Sequence, residues 1–215
     1  KENVTSGHDF NFAANSVGGL SLWLDASDLS TADSSWIDKS GNNNHATKNG
    51  SPVVLEKGLN KLSVMKYSGT NGQYHSFNRI SDIRTVFAVV KYNAGYWYLL
   101  GDTGSYDFHG NGANAIFHSR HAHNNIKNGS VLKVNGSNYS IYGPWPRELS
   151  VISLKTSGNV RANNFSNDRN IGGRTANGEL GELLVFNTAL SDANMQKVQN
   201  YLDFFSMRMI DIQLH

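Results

Sequence analysis

Apolar residues recur along this chain with two periods, and the switch between them falls near its C-terminal end. In "GLSLWLDASDLS", Leu20, Leu22 and Leu24 alternate with Ser21 and Trp23, the period of a strand with one face against a core. Short apolar runs follow at "SVMKYS", "RTVFAVVKY", "YWYLLGD", "NAIFHS", "SVLKVNGS", "ELSVISLKT", "RNIGGR" and "GELLVF", nearly all bounded by Gly, Asn, Asp or Ser. Short strands spaced and punctuated in this way predict an antiparallel sandwich or barrel. The run "TVFAVV", Thr85 to Val90, is apolar enough to be a central strand covered on both faces. "YGPWPR" resists strand assignment, because Pro144 and Pro146 lack backbone donors, and it reads as a loop.

Over "GELGELLVFNTALSDANMQKVQNYL" the rhythm changes. Glu182 to Phe186 predicts the last strand, after which Met195, Val198, Leu202 and Phe205 recur at spacings of three or four. Ser191 is placed to cap a helix with its hydroxyl, and Asp192 suits the positive end of the helix dipole. A short amphipathic helix is therefore expected after the final strand, sealing an end or open edge of the sheets. The stretch after Phe205, "SMRMIDIQLH", leaves the pattern and receives no assignment. Residues 1–17 are polar, with only Phe10 and Phe12 as anchors, and read as a linker or N-terminal arm. Residues 18–215 are expected to form one domain, soluble and part of something larger.

Composition narrows the function classes. Hydrophobic residues make up 39% of the 215 and charged residues 17%, so a core can form under a neutral polar surface. Nineteen basic against seventeen acidic residues leave a formal charge of +2, with no block of like charge. No phosphate-tracking surface is indicated, so nucleic acid is not an expected partner. There is no cysteine, which excludes disulfides and thiolate metal sites. No apolar run of about 18 residues is present to span a bilayer, so membrane insertion is not expected.

Three motifs together, "LSLWLDASD", "WIDKSGNNNHAT" and "GELGELLVFNTALSDANMQKVQNYL", resemble the concanavalin A-like, laminin G-like domains of bacterial and phage surface proteins. The resemblance runs from about Gly18 to Leu202. It implies an all-β, antiparallel jelly-roll β-sandwich with a short C-terminal α-helix. In such domains the last motif is a strand carrying an acidic residue, a turn, and "ALS" capping a helix; Glu182, Ala189, Leu190 and Ser191 hold the matching positions. Asn194 departs from the glutamate often found there, which weakens the reciprocal half of a capping box. The superfamily includes lectins, carbohydrate-binding modules, adhesion domains and glycosidases, so the resemblance specifies fold better than ligand.

Candidate chemistry was weighed against that background. Retaining glycosidases set two carboxylates about 5 Å apart. Glu179 and Glu182 are three apart, which in a regular strand sends them to opposite faces, and Asp25 and Asp28 share that odd spacing. No G-x-S-x-G is present, and "GDTGSYDFHGNG" lacks the lysine and helix of a phosphate loop. No enzymatic activity is expected. His121 and His123, two apart after His118, would share a strand face, yet no third ligand lies nearby in sequence, and the stretch reads as a histidine-rich loop. The resemblance implies calcium at the sandwich rim in many relatives; Asp102 and Asp107, on the glycine-rich loop, are the nearest match.

Sugar recognition wants an aromatic platform edged by polar groups. Trp145 between its prolines is one candidate, with Tyr142 and Arg147 beside it, and Tyr106, Asp107, His109 and Asn111 form a second group. One of the consecutive Tyr96, Trp97 and Tyr98 must point away from the core if they are in a strand. The expected function is non-catalytic, lectin-like carbohydrate binding by an adhesion domain of a larger surface or fibre protein. Its partner would be a glycan or polysaccharide on a cell surface, its location extracellular or on a cell or virion surface, and its assembly a homo-oligomer through the parent fibre. The alternative is a structural or protein-binding module of an adhesin without sugar affinity.

Overall fold

A computed structural model describes residues 16–31, 34–59, 62–112, 114–169, 171 and 174–207. The N-terminal arm, but for Ser16 and Val17, and the unassigned stretch after Met207 lie outside the described residues. Ten strands run in order: β1 (Leu20–Asp25), β2 (Ser35–Trp36), β3 (Ala46–Asn49), β4 (Val53–Leu59), β5 (Leu62–Ser68), β6 (Tyr74–Gly95), β7 (Val131–Val134), β8 (Ser137–Tyr139), β9 (Ser150–Phe165) and β10 (Ala176–Phe186). A one-turn helix, α1 (Asn124–Lys127), precedes β7, and α2 (Asp192–Met207) follows β10. All strand pairings are antiparallel and join one hydrogen-bonded sheet in the order β4-β5-β10-β6-β9-β7-β8, with β1 also on β10, and β2 reaching β6 through β3.

The centre of the sheet is covered on both faces, as the unbroken apolarity of Thr85–Val90 anticipates. Val86, Ala88 and Val90 point into the larger core with Leu22, Leu24, Ile152, Leu154, Leu183 and Val185. Phe87 and Val89 point the other way, with Trp23, Val151, Leu184 and Phe186. Strict alternation between two buried sides is what a period of two produces when neither side meets water.

The second side is closed by α2. Met195, Val198 and Leu202 are buried there with Leu190; the side chain of Phe205 is outside the described residues. The helix starts as its sequence indicates, with Ser191 Oγ accepting the Asn194 N–H at 3.3 Å. Its location corrects the expectation that it plugs an end or edge. The aromatic side chains of Trp23, Phe87 and Phe186 on this face would otherwise be open to water, and burying them outweighs covering a strand edge.

Two local devices adjust the sheet. Asp38, 5% exposed, accepts N–H groups from Trp23, Ser40 and Asn44 and the Ser40 hydroxyl, so one carboxylate ties the "DKSGNNN" loop to β1. At Gly181 the register of β10 on β6 shifts, a β-bulge that resets the alternation. Leu180 and Leu183, three apart, consequently share the larger core. The odd-spacing rule applied to Glu179 and Glu182 does not hold across this bulge.

Candidate functional site

An open groove of about 580 Å³ forms where three connecting segments meet: Gly95–Tyr98 after β6, the loop through Tyr106–His121, and the β9–β10 connection carrying Arg169 and Arg174. The stretch that joins the first two segments is clamped behind it to the end of β9 and the β9–β10 connection. The Gly101 N–H donates to Asn164 O at 2.9 Å, and a Cβ added at Gly101 would lie 2.0 Å from Asn167 O, so only glycine allows this approach.

Asp168 organises the third segment. Its side chain is 5% exposed, and the carboxylate accepts from Arg169 Nε at 3.0 Å and Nη2 at 3.2 Å, from Arg174 Nη1 at 3.0 Å, and meets His109 Nδ1 at 3.3 Å. Burial alone would raise its pKa, but the hydrogen bonds from His109, Arg169 and Arg174 together outweigh that and hold it well below the usual carboxylate range. Ser166 (φ 77°) and Arg169 (φ 52°) both adopt left-handed backbone conformations, uncommon for residues with a Cβ. Strain of this kind persists where surrounding contacts over-determine it; here Ser166 Oγ donates to Gln73 O and accepts the Ala176 N–H.

Aromatic and imidazole rings make the rest of the wall. The Arg169 guanidinium carbon sits 3.9 Å from the Tyr106 ring centroid, and Arg174 5.6 Å from that of Tyr96. Tyr96 stacks on Tyr98 at 6.4 Å with planes 7° apart. The His109 ring centre lies 5.5 Å from that of His118 and 5.7 Å from that of His121, which are themselves 4.6 Å apart. His118 Nδ1 accepts N–H groups from Arg120 and His121, which leaves its Nε2 to carry the proton in the neutral ring. Its pKa is lowered, first by loss of water and then by His121, His109 and Arg120, the mark of a positive local field. The Tyr98 hydroxyl is buried without a hydrogen-bond partner, and burial pushes its pKa up.

The residues singled out from sequence divide sharply. Tyr106 is 47% exposed and lines the groove together with Asn111 and His109. Asp107 does not: it is buried, accepting the Arg161 N–H at 2.9 Å, and ties the loop to β9. Trp145 is corrected outright. It is 2% exposed and packs against Tyr92 and Trp97 in the larger core, with ring centres 6.4 and 6.1 Å away. Flanking prolines excluded it from a strand but did not prevent the loop from folding its indole inward. Tyr142 is exposed and Arg147 covers the Tyr92 ring at 4.5 Å, both away from the residues that line the groove.

The metal candidates are placed as follows. Asp102 receives Arg79 through Nε and Nη2 on its two oxygens, and also the Gly104 N–H. A calcium ion at Asp102 and Asp107 would have to displace that guanidinium and the N–H donors. His121 and His123 do not share a strand: His123 caps α1, accepting the Asn125 N–H. The neighbour that joins His118 and His121 is His109, which sequence reasoning kept apart from them. Among the described residues no group of three His, Asp or Glu has metal-holding geometry.

Sequence reasoning missed Arg169 and Arg174 as groove residues, and Asp168 that holds them, because "NDRNIGGRT" reads as a turn-rich connection; it also missed His118 as a groove residue. It also missed an acidic juxtaposition, Asp25 directly opposite Glu182 between β1 and β10. Those carboxylates have internal partners: Asp25 bonds Ser27 and Lys39, and Glu182 accepts from Trp23 Nε1 and the Tyr201 hydroxyl. Neither lines the groove. Among the described residues, no helix is long and apolar enough to cross a membrane. Comparison with protein-family models, curated proteins and solved structures finds no match to this chain.

Proposed function

We propose that the chain is a jelly-roll β-sandwich whose connecting loops display a non-catalytic carbohydrate-binding groove, acting as an adhesion domain of a larger surface protein. The observation that carries this reading is the groove wall itself. Tyr96 and Tyr106, 40% and 47% exposed, stand beside the amides of Asn111 and Asn114 and the N–H groups of Arg169 and Arg174. Large rings supply contact area for the apolar face of a pyranose, and edge donors match its hydroxyls. Among the described residues lining the groove there is no Asp or Glu, so the carboxylate pair a glycosidase uses has no counterpart. The motif resemblance to laminin G-like domains and the long, repeatedly shifted strands β6 and β9 support the sandwich. Each site would be weak, and repetition along a fibre would raise the avidity.

A glycan array followed by calorimetry on the chain tests the proposal. Tyr106→Ala is expected to weaken a bound glycan about tenfold, ~1.4 kcal/mol, while its unfolding midpoint stays near that of the parent. An array without signal, together with a protein partner captured through the same loops, would turn the assignment to a protein-binding module.

A further inference from the structure

The charge around the groove points beyond sugars in general. Two guanidiniums converge on a single carboxylate at Asp168, leaving one positive charge uncompensated within that cluster. Arg169 uses Nε and Nη2 on Asp168 and Arg174 uses Nη1, so Nη1 of the first and Nε and Nη2 of the second still carry donors. Three imidazoles, His109, His118 and His121, crowd the same wall, and Arg120 flanks them. No acidic side chain among the described lining residues balances them. The second, independent observation is Tyr98. It is 1% exposed, it lines the groove, and its hydroxyl has no partner although it is buried among Tyr96, Arg169, Arg174 and Asp168. A buried hydroxyl without a partner is destabilising, and an incoming acceptor oxygen would satisfy it.

Resting on the carbohydrate reading above, we infer that the groove selects acidic saccharides, with a uronate carboxylate received by Arg174 and Arg169 while the ring lies against Tyr106 or Tyr96. A planar guanidinium matches a carboxylate geometrically, which a neutral hydroxymethyl group at the same position does not. The guanidinium charge left over at Asp168 adds long-range attraction that salt screens.

An array of galacturonate, glucuronate and mannuronate oligosaccharides, each presented as the free acid and as its methyl ester, separates charge from shape. Neutral glycans are included on the same array. The acid of at least one series is expected to bind ten-fold or more tighter than its ester at low salt, with the difference shrinking several-fold between 50 and 500 mM salt, over which the Debye length contracts about threefold. Arg174→Gln is expected to weaken binding of the acid about ten-fold and of the ester much less, so that the acid-to-ester preference narrows several-fold, and a parallel melting curve checks that the variant is folded. The salt series on the parent chain keeps the test decisive should that variant misfold. Esters or neutral glycans bound as tightly as acids would overturn the acidic selectivity while leaving a sugar groove in place. No glycan bound at all would overturn both. A sulfated oligosaccharide bound tighter than every uronate would overturn the carboxylate assignment.

Discussion

Two buried carboxylates in this chain meet opposite fates. Asp168 is held ionised by Arg169, Arg174 and His109, three residues that line the groove. Glu182, fully buried under α2, has only the uncharged donors Trp23 Nε1 at 2.6 Å and Tyr201 at 2.8 Å, both on one oxygen. Its second oxygen has no partner. Burial, reinforced by Asp25, pushes its pKa up to about 8, so it is mostly protonated at neutral pH. The difference teaches that burial alone does not decide charge; the partners brought in by the fold do. One cluster keeps its charge and exports the surplus to a groove. The other suppresses its charge and joins a helix to a sheet.

The sharpest way to break the comparison is to delete the charged member. Asp168→Ala leaves two guanidiniums facing each other beside His109, and is expected to cost about 2 kcal/mol in urea unfolding, below the range for fully buried pairs because Arg174 is about a third exposed. Glycan binding should fall with it.

The pH dependence separates the two carboxylates next. Glu182 has a folded pKa near 8 against an ordinary value of 4.5, so the folded state holds the extra proton between those limits. Its stabilising effect is complete below pH 4.5 and is lost as pH rises toward 8. Asp168, depressed on folding, runs the other way, losing its contribution only as acid protonates it. His75, buried against Tyr67 and lowered from 6.5 to about 4, also favours folding at higher pH, and its influence ends above pH 6.5. From pH 6.5 to 8 the Glu182 effect therefore acts alone among these three. Unfolding free energy should fall by up to about 2 kcal/mol over that window, and Glu182→Gln, which keeps an uncharged side chain, should flatten the slope. A parent chain with no slope there would show that Glu182 is ionised throughout.

A smaller effect sharpens the same point. Tyr201→Phe removes one of the two donors to Glu182 and is expected to cost about 1 kcal/mol, while moving the pH-dependent loss upward because the ionised form loses a stabilising hydrogen bond. Circular dichroism melts at pH 6 and pH 8.5 measure both quantities.

Much of the fold was legible in the chain. Alternation at Leu20–Leu24 and unbroken apolarity at Thr85–Val90 identify strands, because a period of two is a property of the backbone and needs no partner. Ser191 and the spacing of Met195, Val198 and Leu202 identify α2 for the corresponding reason. The candidate site was legible only in part. Tyr106, His109 and Asn111 could be picked out because they share one glycine-rich loop. Asp168 lies 59 positions from His109, and no local pattern announces that pairing.

By itself, then, the sequence determined that the chain is mostly strand with a helix after the last one, and that cysteine chemistry is absent, whereas "YWYLLGD" and "NAIFHS", apolar enough to read as strands, are connecting segments. Only the tertiary structure decided that Trp145 is core, that α2 covers a face, that a bulge at Gly181 resets β10, and that two arginines, three histidines and two exposed tyrosines share one groove. The physical reason is range: periodicity records the local geometry of the backbone, whereas charge balance and concavity arise from contacts between loops that the chain keeps far apart.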